Sequence, residues 1–170
     1  VRVIRSIPND EVLFVPDQNL GSFVAGQVPD KKIHLWSGYC ITHHRVSRED
    51  VEKAKSLHPD ALVLAHPECR KEVLVRADFV GSTAQIIEYA KNSSHDKFLI
   101  ATEMGILYKL KKDNPDKTFY LLTPGLVCPN MKKTSVESVY NALKYNRYEI
   151  NLDKEVAERA RRALEAMLAV

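Results

Sequence analysis

The sequence predicts an α/β protein built of repeated three-layer αβα modules with parallel sheets, pseudo-symmetric about a central active site. Three observations predict it. Short continuous apolar runs, such as Ala61-Leu62-Val63-Leu64-Ala65, have the length and composition of strands buried on both faces. These runs alternate with helical stretches over short connections, as in a parallel sheet covered by helices. The third observation is an internal repeat. Residues 12–15 lead into Pro16-Asp17-Gln18-Asn19-Leu20-Gly21, then Pro29-Asp30-Lys31, a strand and Cys40. Residues 98–101 lead into Thr102-Glu103-Met104-Gly105, then Pro115-Asp116-Lys117, a strand and Cys128. Strand, acidic turn, glycine-bearing helix, Pro-Asp-Lys turn, strand and cysteine recur in one order, which would set the cysteines around a pseudo-rotation axis.

Taken in order, residues 1–5 read as the last turn of a helix, so the chain is expected to be the C-terminal part of something longer. Residues 11–15 form a strand that Pro16 ends. A short helix over 20–28 and a strand over 32–36 follow, then a polar loop over 37–44. Ser47-Arg48-Glu49-Asp50 resembles a capping box and opens a helix to about 57. The strand 61–65 stops at His66-Pro67-Glu68-Cys69, because a proline cannot continue the ladder. Next come a helix over 70–77, a brief strand at 79–80, a helix over 84–91, a strand over 97–101, a helix over 104–112 and a strand over 118–122. Helices over 136–145 and 154–168 close the chain. The last spaces Val156, Ala160, Ala163, Leu164 and Leu168 along one stripe, which needs a surface to pack on. The expected organisation is the latter half of a middle module over 1–40, a complete module over 41–128 and a helical segment over 129–170.

Composition narrows the function. With 25 basic against 22 acidic residues and only scattered lysine pairs, the chain lacks the basic stripe of a nucleic-acid binder. No apolar stretch has the length of a membrane span and no leader pattern opens the sequence. Three cysteines cannot close a complete disulfide framework, so a reducing, cytoplasmic setting is expected.

The chemistry concentrates beyond the strand ends, where open parallel sheets bind ligands. Cys40 and Cys128 hold equivalent repeat positions and either ligate one metal centre or pack as buried thiols. Two thiolates are too few for an iron–sulfur cluster, so further ligands would be needed. Cys69 opens a helix, whose dipole would lower its pKa, but it breaks the repeat and reads as structural. His66 and Glu68 share a strand end and supply a base and an acid, or a cap and a hydrogen-bonded imidazole. His43 lies three residues after Cys40 and is a metal ligand or a donor to substrate, whereas His44 and His58 read as surface residues. Gly81-Ser82-Thr83 before a helix is an anion cradle or an ordinary N-cap. Asp17, Asn19 and Glu103 are caps or site-lining groups.

As a set, His66-Pro67-Glu68-Cys69, Ala77-Asp78-Phe79-Val80-Gly81-Ser82-Thr83, Ala101-Thr102-Glu103-Met104-Gly105 and Cys128-Pro129-Asn130-Met131-Lys132 resemble the quinolinate synthase family. Pro16-Asp17-Gln18-Asn19-Leu20-Gly21 leading to Gly38-Tyr39-Cys40-Ile41-Thr42-His43 resembles it too. The resemblance implies a transferase of NAD biosynthesis that condenses iminoaspartate with dihydroxyacetone phosphate to quinolinate, phosphate and water. L-aspartate oxidase or aspartate dehydrogenase would supply the iminoaspartate. It implies three αβα domains about a pseudo-threefold axis, each giving one cysteine to a [4Fe–4S] cluster whose open iron is a Lewis acid. Cys40 and Cys128 match two ligand positions and Cys69 matches none. His66 and Glu68 match catalytic positions, Glu68 as the proton shuttle. Ser82 and Thr83 match the phosphate or carboxylate cradle, and His43 a substrate contact. By this resemblance the first domain and half of the second are absent, and the third cysteine with them. The segment after Cys128 would pack on that absent domain. Two other readings stand beside it: a non-catalytic phosphate-binding module using Gly81-Ser82-Thr83, and a zinc-stabilised domain using Cys40, Cys128 and histidines.

Overall fold

Two parallel sheets organise residues 10–128 of the computed structural model, which describes residues 1–170. Residues 1–9 and 129–170 form a second compact unit. The chain opens with α1 (Arg2–Ser6), β1 (Glu11–Phe14), α2 (Gln18–Ala25), β2 (Lys32–Leu35), α3 (Ile41–His44) and α4 (Arg48–Leu57). It continues through β3 (Leu62–Ala65), α5 (Lys71–Leu74), β4 (Phe79–Val80), α6 (Thr83–Asn92), β5 (Lys97–Ala101), α7 (Ile106–Asp113) and β6 (Thr118–Leu121). A 3-10 turn (Met131–Lys133), α8 (Val136–Tyr145) and α9 (Lys154–Leu168) follow.

The larger sheet has the order β4-β3-β5-β6 with every pair parallel, and β1 and β2 form a separate parallel pair. Alternation along β3 and β5 explains why both runs are apolar throughout. Val63, Ala65, Leu99 and Ala101 point to one side, where Val51 and Ala54 of α4 and Val73 of α5 cover them. Leu64, Phe98 and Ile100 point to the other, against Ile86 and Ala90 of α6 and Ile106 and Leu110 of α7. A strand covered on both faces has no polar side to alternate with.

The repeat is present in the backbone register. Glu11 pairs with Lys32 and Lys97 with Thr118, a spacing of 21 residues in both (32 − 11 and 118 − 97). Lys32 N–H donates to Asp10 O at 2.8 Å as Thr118 N–H donates to Asp96 O at 2.6 Å, and Trp36 N–H to Phe14 O as Leu122 N–H to Ile100 O, both at 3.0 Å.

Several elements differ from expectation. Residues 37–44 are not loop throughout: 41–44 wind into α3, burying Thr42 and His43. The helix expected over 70–77 is the single turn α5. The chain leaves it to re-enter the sheet at Asp78, whose N–H donates to Val63 O (2.9 Å) while its Oδ2 accepts from Val63 N–H (2.7 Å). Capping boxes begin α4 at Ser47 and α6 at Ser82.

In the second unit, a capping box at Ser135 begins α8, and Asn146 ends it in the left-handed region at φ 48°. Asp153 caps α9, whose stripe residues Val156, Leu164 and Leu168 are exposed. No helix is long and apolar enough to cross a membrane.

Candidate active site

Proline placement creates the centre of the site. His66 N–H makes one last ladder bond, to Ala101 O at 3.1 Å, and Pro67 then turns the chain so that Glu68 folds back. Glu68 N–H donates to His66 Nδ1 at 3.3 Å, which puts any His66 proton on Nε2. Burial is the main force holding the His66 pKa below its ordinary value, with the nearby His43 ring adding to it.

Across from this strand end stands α3. His43 Nδ1 lies 2.9 Å from Glu68 Oε2, and its Nε2 lies 3.0 Å from Thr102 Oγ1. The His43 and His66 rings stack with centroids 4.5 Å apart. The hydrogen bond from His43 holds the Glu68 carboxyl below its ordinary pKa against the opposing pull of burial. Glu68 is therefore ionised near neutrality, and the proton shared with His43 rests on Nδ1. Cys40, which caps α3, completes the group: ligand atoms of Cys40, His43 and Glu68 all lie within 4.8 Å of one another.

Cys40 is placed by the turn before it. Gly38 sits where a Cβ would come within 2.6 Å of Pro16 O, so only glycine lets the loop lie on the end of β1. Cys40 N–H donates to Asp17 Oδ2 at 2.7 Å. Cys128 N–H donates to Glu103 Oε1 at 3.3 Å, just beyond the end of β5. Both thiols are partly buried.

Of the residues expected from sequence, Cys40, His43, His66 and Glu68 are brought together. Cys128 stands beyond the next module's strand end, outside the 4.8 Å group. Ser82 and Thr83 start α6, where Ser82 Oγ accepts from Gln85 N–H at 3.3 Å and the Gln85 side chain returns a bond to Ser82 N–H. Cys69 is a core residue, in keeping with its structural reading, and only its expected place at a helix start is corrected. It lies before the start of α5, is fully buried, and points its Sγ at Ala101 O (3.5 Å). Burial pushes its thiol up to about 12, the opposite of helix-dipole activation. His44 is not a surface bystander either: it pairs with Asn19 at 3.0 Å and stacks on Tyr39 at 4.2 Å, while His58 stacks on Tyr120 at 3.8 Å. Thr102 was missed, and only the strand-end position of the second repeat copy signals it.

Fold and site together define a class: a parallel α/β protein whose strand ends carry an imidazole–carboxylate centre with one cysteine, Cys40, beside it. Comparison with known proteins makes this specific. The family model described as Quinolinate synthetase A protein matches residues 1–169, and the chain belongs to that family. It is 60% identical over 168 residues to a quinolinate synthase of Caldicellulosiruptor bescii, covering 99% of this chain and 55% of the relative. It is 54% identical over 170 residues to one of Alkaliphilus metalliredigens, and 45% identical over 169 residues to one of Thermodesulfovibrio yellowstonii. Those matches cover 100% and 99% of this chain and 56% of each relative. The chain thus spans about half the length of the curated relatives it matches.

Proposed function

We propose that this chain forms part of the active site of a quinolinate synthase of NAD biosynthesis in the cytoplasm, condensing iminoaspartate with dihydroxyacetone phosphate. The observation that carries the proposal is the contact group itself, with an ionised Glu68 held by His43, a neutral His66 stacked beside them, and a thiol within reach.

The family implies a [4Fe–4S] cluster, and the donor set fits a share of it. Cys40 and Cys128 are soft ligands at equivalent repeat positions, both partly buried. Thr42 Oγ1, two residues from Cys40, is the one buried side-chain oxygen without a hydrogen-bond partner. Cys40 and Cys128 would hold two of the irons, with a third cysteine from the remainder of the enzyme and the three modules set about a common axis. When bound, the cluster supplies a Lewis-acidic iron to substrate oxygen.

The chain's own residues do the rest. Glu68 takes the proton lost from the carbon skeleton, because its carboxylate is kept ionised by His43. His43 fixes the orientation of Glu68, with Thr102 fixing His43 in turn. His66 presents Nε2–H to a substrate carbonyl. The first turn of α6, with Ser82 and Thr83, offers donors to the phosphate or a carboxylate. Iminoaspartate would come from an L-aspartate oxidase or an aspartate dehydrogenase.

Anaerobic reconstitution of this chain together with the co-expressed remainder of the enzyme tests this. A brown protein that forms quinolinate, with both properties lost in Cys128→Ala, is the expected result. A colourless protein that forms no quinolinate overturns it. The close approach of Cys40, His43 and Glu68 favours one second reading, a single-metal site. That reading expects one zinc per chain, insensitive to oxygen and to Cys128→Ala.

A further inference from the structure

Two buried carboxylates do more than helix capping requires. Asp17 is 3% exposed and Glu103 is 7% exposed, and both occur in the turn after the first strand of a repeat copy. Asp17 Oδ1 accepts from Leu20 N–H at 2.8 Å, an ordinary N-cap bond at the start of α2. Glu103 Oε2 accepts from the N–H of Gly105, the N-cap residue of α7, at 2.7 Å, holding the turn before that helix and not capping it. Each keeps its second oxygen for a cysteine: Asp17 Oδ2 for Cys40 N–H, 23 residues on, and Glu103 Oε1 for Cys128 N–H, 25 residues on.

A serine or threonine caps a helix without the cost of burying a charge. What it lacks is a second oxygen able to reach a distant N–H, and a carboxylate has that. The neighbouring backbone repeats the same link. Gln18 N–H donates to Gly38 O at 2.8 Å, and Met104 N–H donates to Leu126 O at 2.9 Å. In both copies the residue after the acid binds the carbonyl two residues before the cysteine. Two hydrogen bonds thus tie each cysteine loop to the start of a helix and the end of a strand.

We propose that Asp17 and Glu103 are positioning residues of the thiol centre, each fixing its own cysteine, Cys40 or Cys128, at the carboxyl end of its module. The proposal rests on the proposed function for the purpose of the cysteines, but not for the geometry that places them. Each carboxylate also occupies its cysteine's backbone N–H.

The test uses the native protein, purified anaerobically, with Asp17→Asn, Glu103→Gln, Asp17→Glu and Ser47→Ala. Ser47→Ala removes the cap of α4, whose hydroxyl bonds Asp50 and neither cysteine-loop acid, and serves as the structural control. After removal of iron, peptide-resolved alkylation is expected to show a several-fold change at Cys40 alone in Asp17→Asn and at Cys128 alone in Glu103→Gln. Asp17→Glu, which keeps the charge and both acceptors, should restore part of the wild-type rate. In the iron-loaded protein, both amide variants should lose iron to a chelator several-fold faster than the wild type. Ser47→Ala should lower the melting temperature and change neither readout. Equal responses of both cysteines to either substitution, or no response, overturn the proposal. If the wild-type protein holds no iron while the selective alkylation pattern stands, the cluster reading fails and the positioning role survives. If iron is held and the pattern is absent, the positioning role fails alone.

Discussion

Nδ1 of His43 and Oε2 of Glu68 lie 2.9 Å apart, joining α3 to the end of β3 across 25 residues of chain. Glutamine at position 68 keeps an oxygen for His43 but cannot take up a proton. Glu68→Gln is therefore expected to fold with only a modestly lower melting temperature, having lost the stabilisation of the ionised carboxylate. It should slow quinolinate formation by about 10²- to 10⁴-fold, the usual worth of a positioned acid–base group. A rate close to wild type in a fully folded variant would remove Glu68 from proton transfer.

Stability should fall on acidification in two steps. His66 has a folded pKa below its ordinary 6.5, because burial disfavours the charged ring. The unfolded chain then binds more protons at this site, so stability drops as pH falls below 6.5 and levels off beneath the folded value. Glu68 has a folded pKa below its ordinary 4.5, held there by His43. Its contribution is complete above 4.5 and is lost as pH falls through the folded value. Melting temperatures measured against pH should show the upper step in wild type and not in His66→Gln.

Alkylation in the native state should spare Cys69. Its sulfur is buried against Ala101 O and its pKa is pushed up to about 12, so almost no thiolate forms near neutrality. In cluster-free protein, Cys40 and Cys128 should label first and Cys69 only on unfolding, as read by peptide mass. Labelling of Cys69 at the rate of Cys40 would contradict its placement in the core.

Two substitutions separate the frame from the site. Leu64→Ala removes a side chain buried between α6, α7 and the sheet, and should cost about 2–5 kcal/mol in denaturant unfolding. Gly38→Ala drives a methyl group against Pro16 O and should cost about 1–3 kcal/mol. Only the second is expected to alter the alkylation rate of Cys40 by more than the accompanying loss of stability explains.

Local chemistry made much of the fold legible. The Leu62-Val63-Leu64-Ala65 run can only be a doubly covered strand once helices flank it, and Ser47 with Asp50 announces the start of α4. What stayed hidden depends on chain crossings. The four residues of α3 are too few to show a helical period, so burial of His43 could not be read. Cys69 reads as a helix start, and its contact with Ala101 O of the neighbouring strand shows only in the folded chain. The acidic residues Asp17 and Glu103 were visible as repeat partners, but their second oxygens act on residues 23 and 25 positions away. His44 depends in the same way on Asn19, 25 residues earlier.

The unequal spans from acid to cysteine constrain how the two modules can vary. The module with the longer span carries glutamate, and the one two residues shorter carries aspartate, one methylene less. Each residue of extended chain adds about 3.3 Å of reach, more than any rotamer change can absorb. Insertions or deletions between β6 and Cys128 are therefore expected to part Cys128 N–H from Glu103. A chimera that exchanges the two cysteine loops without exchanging their acids should assemble both sheets and misplace both sulfurs.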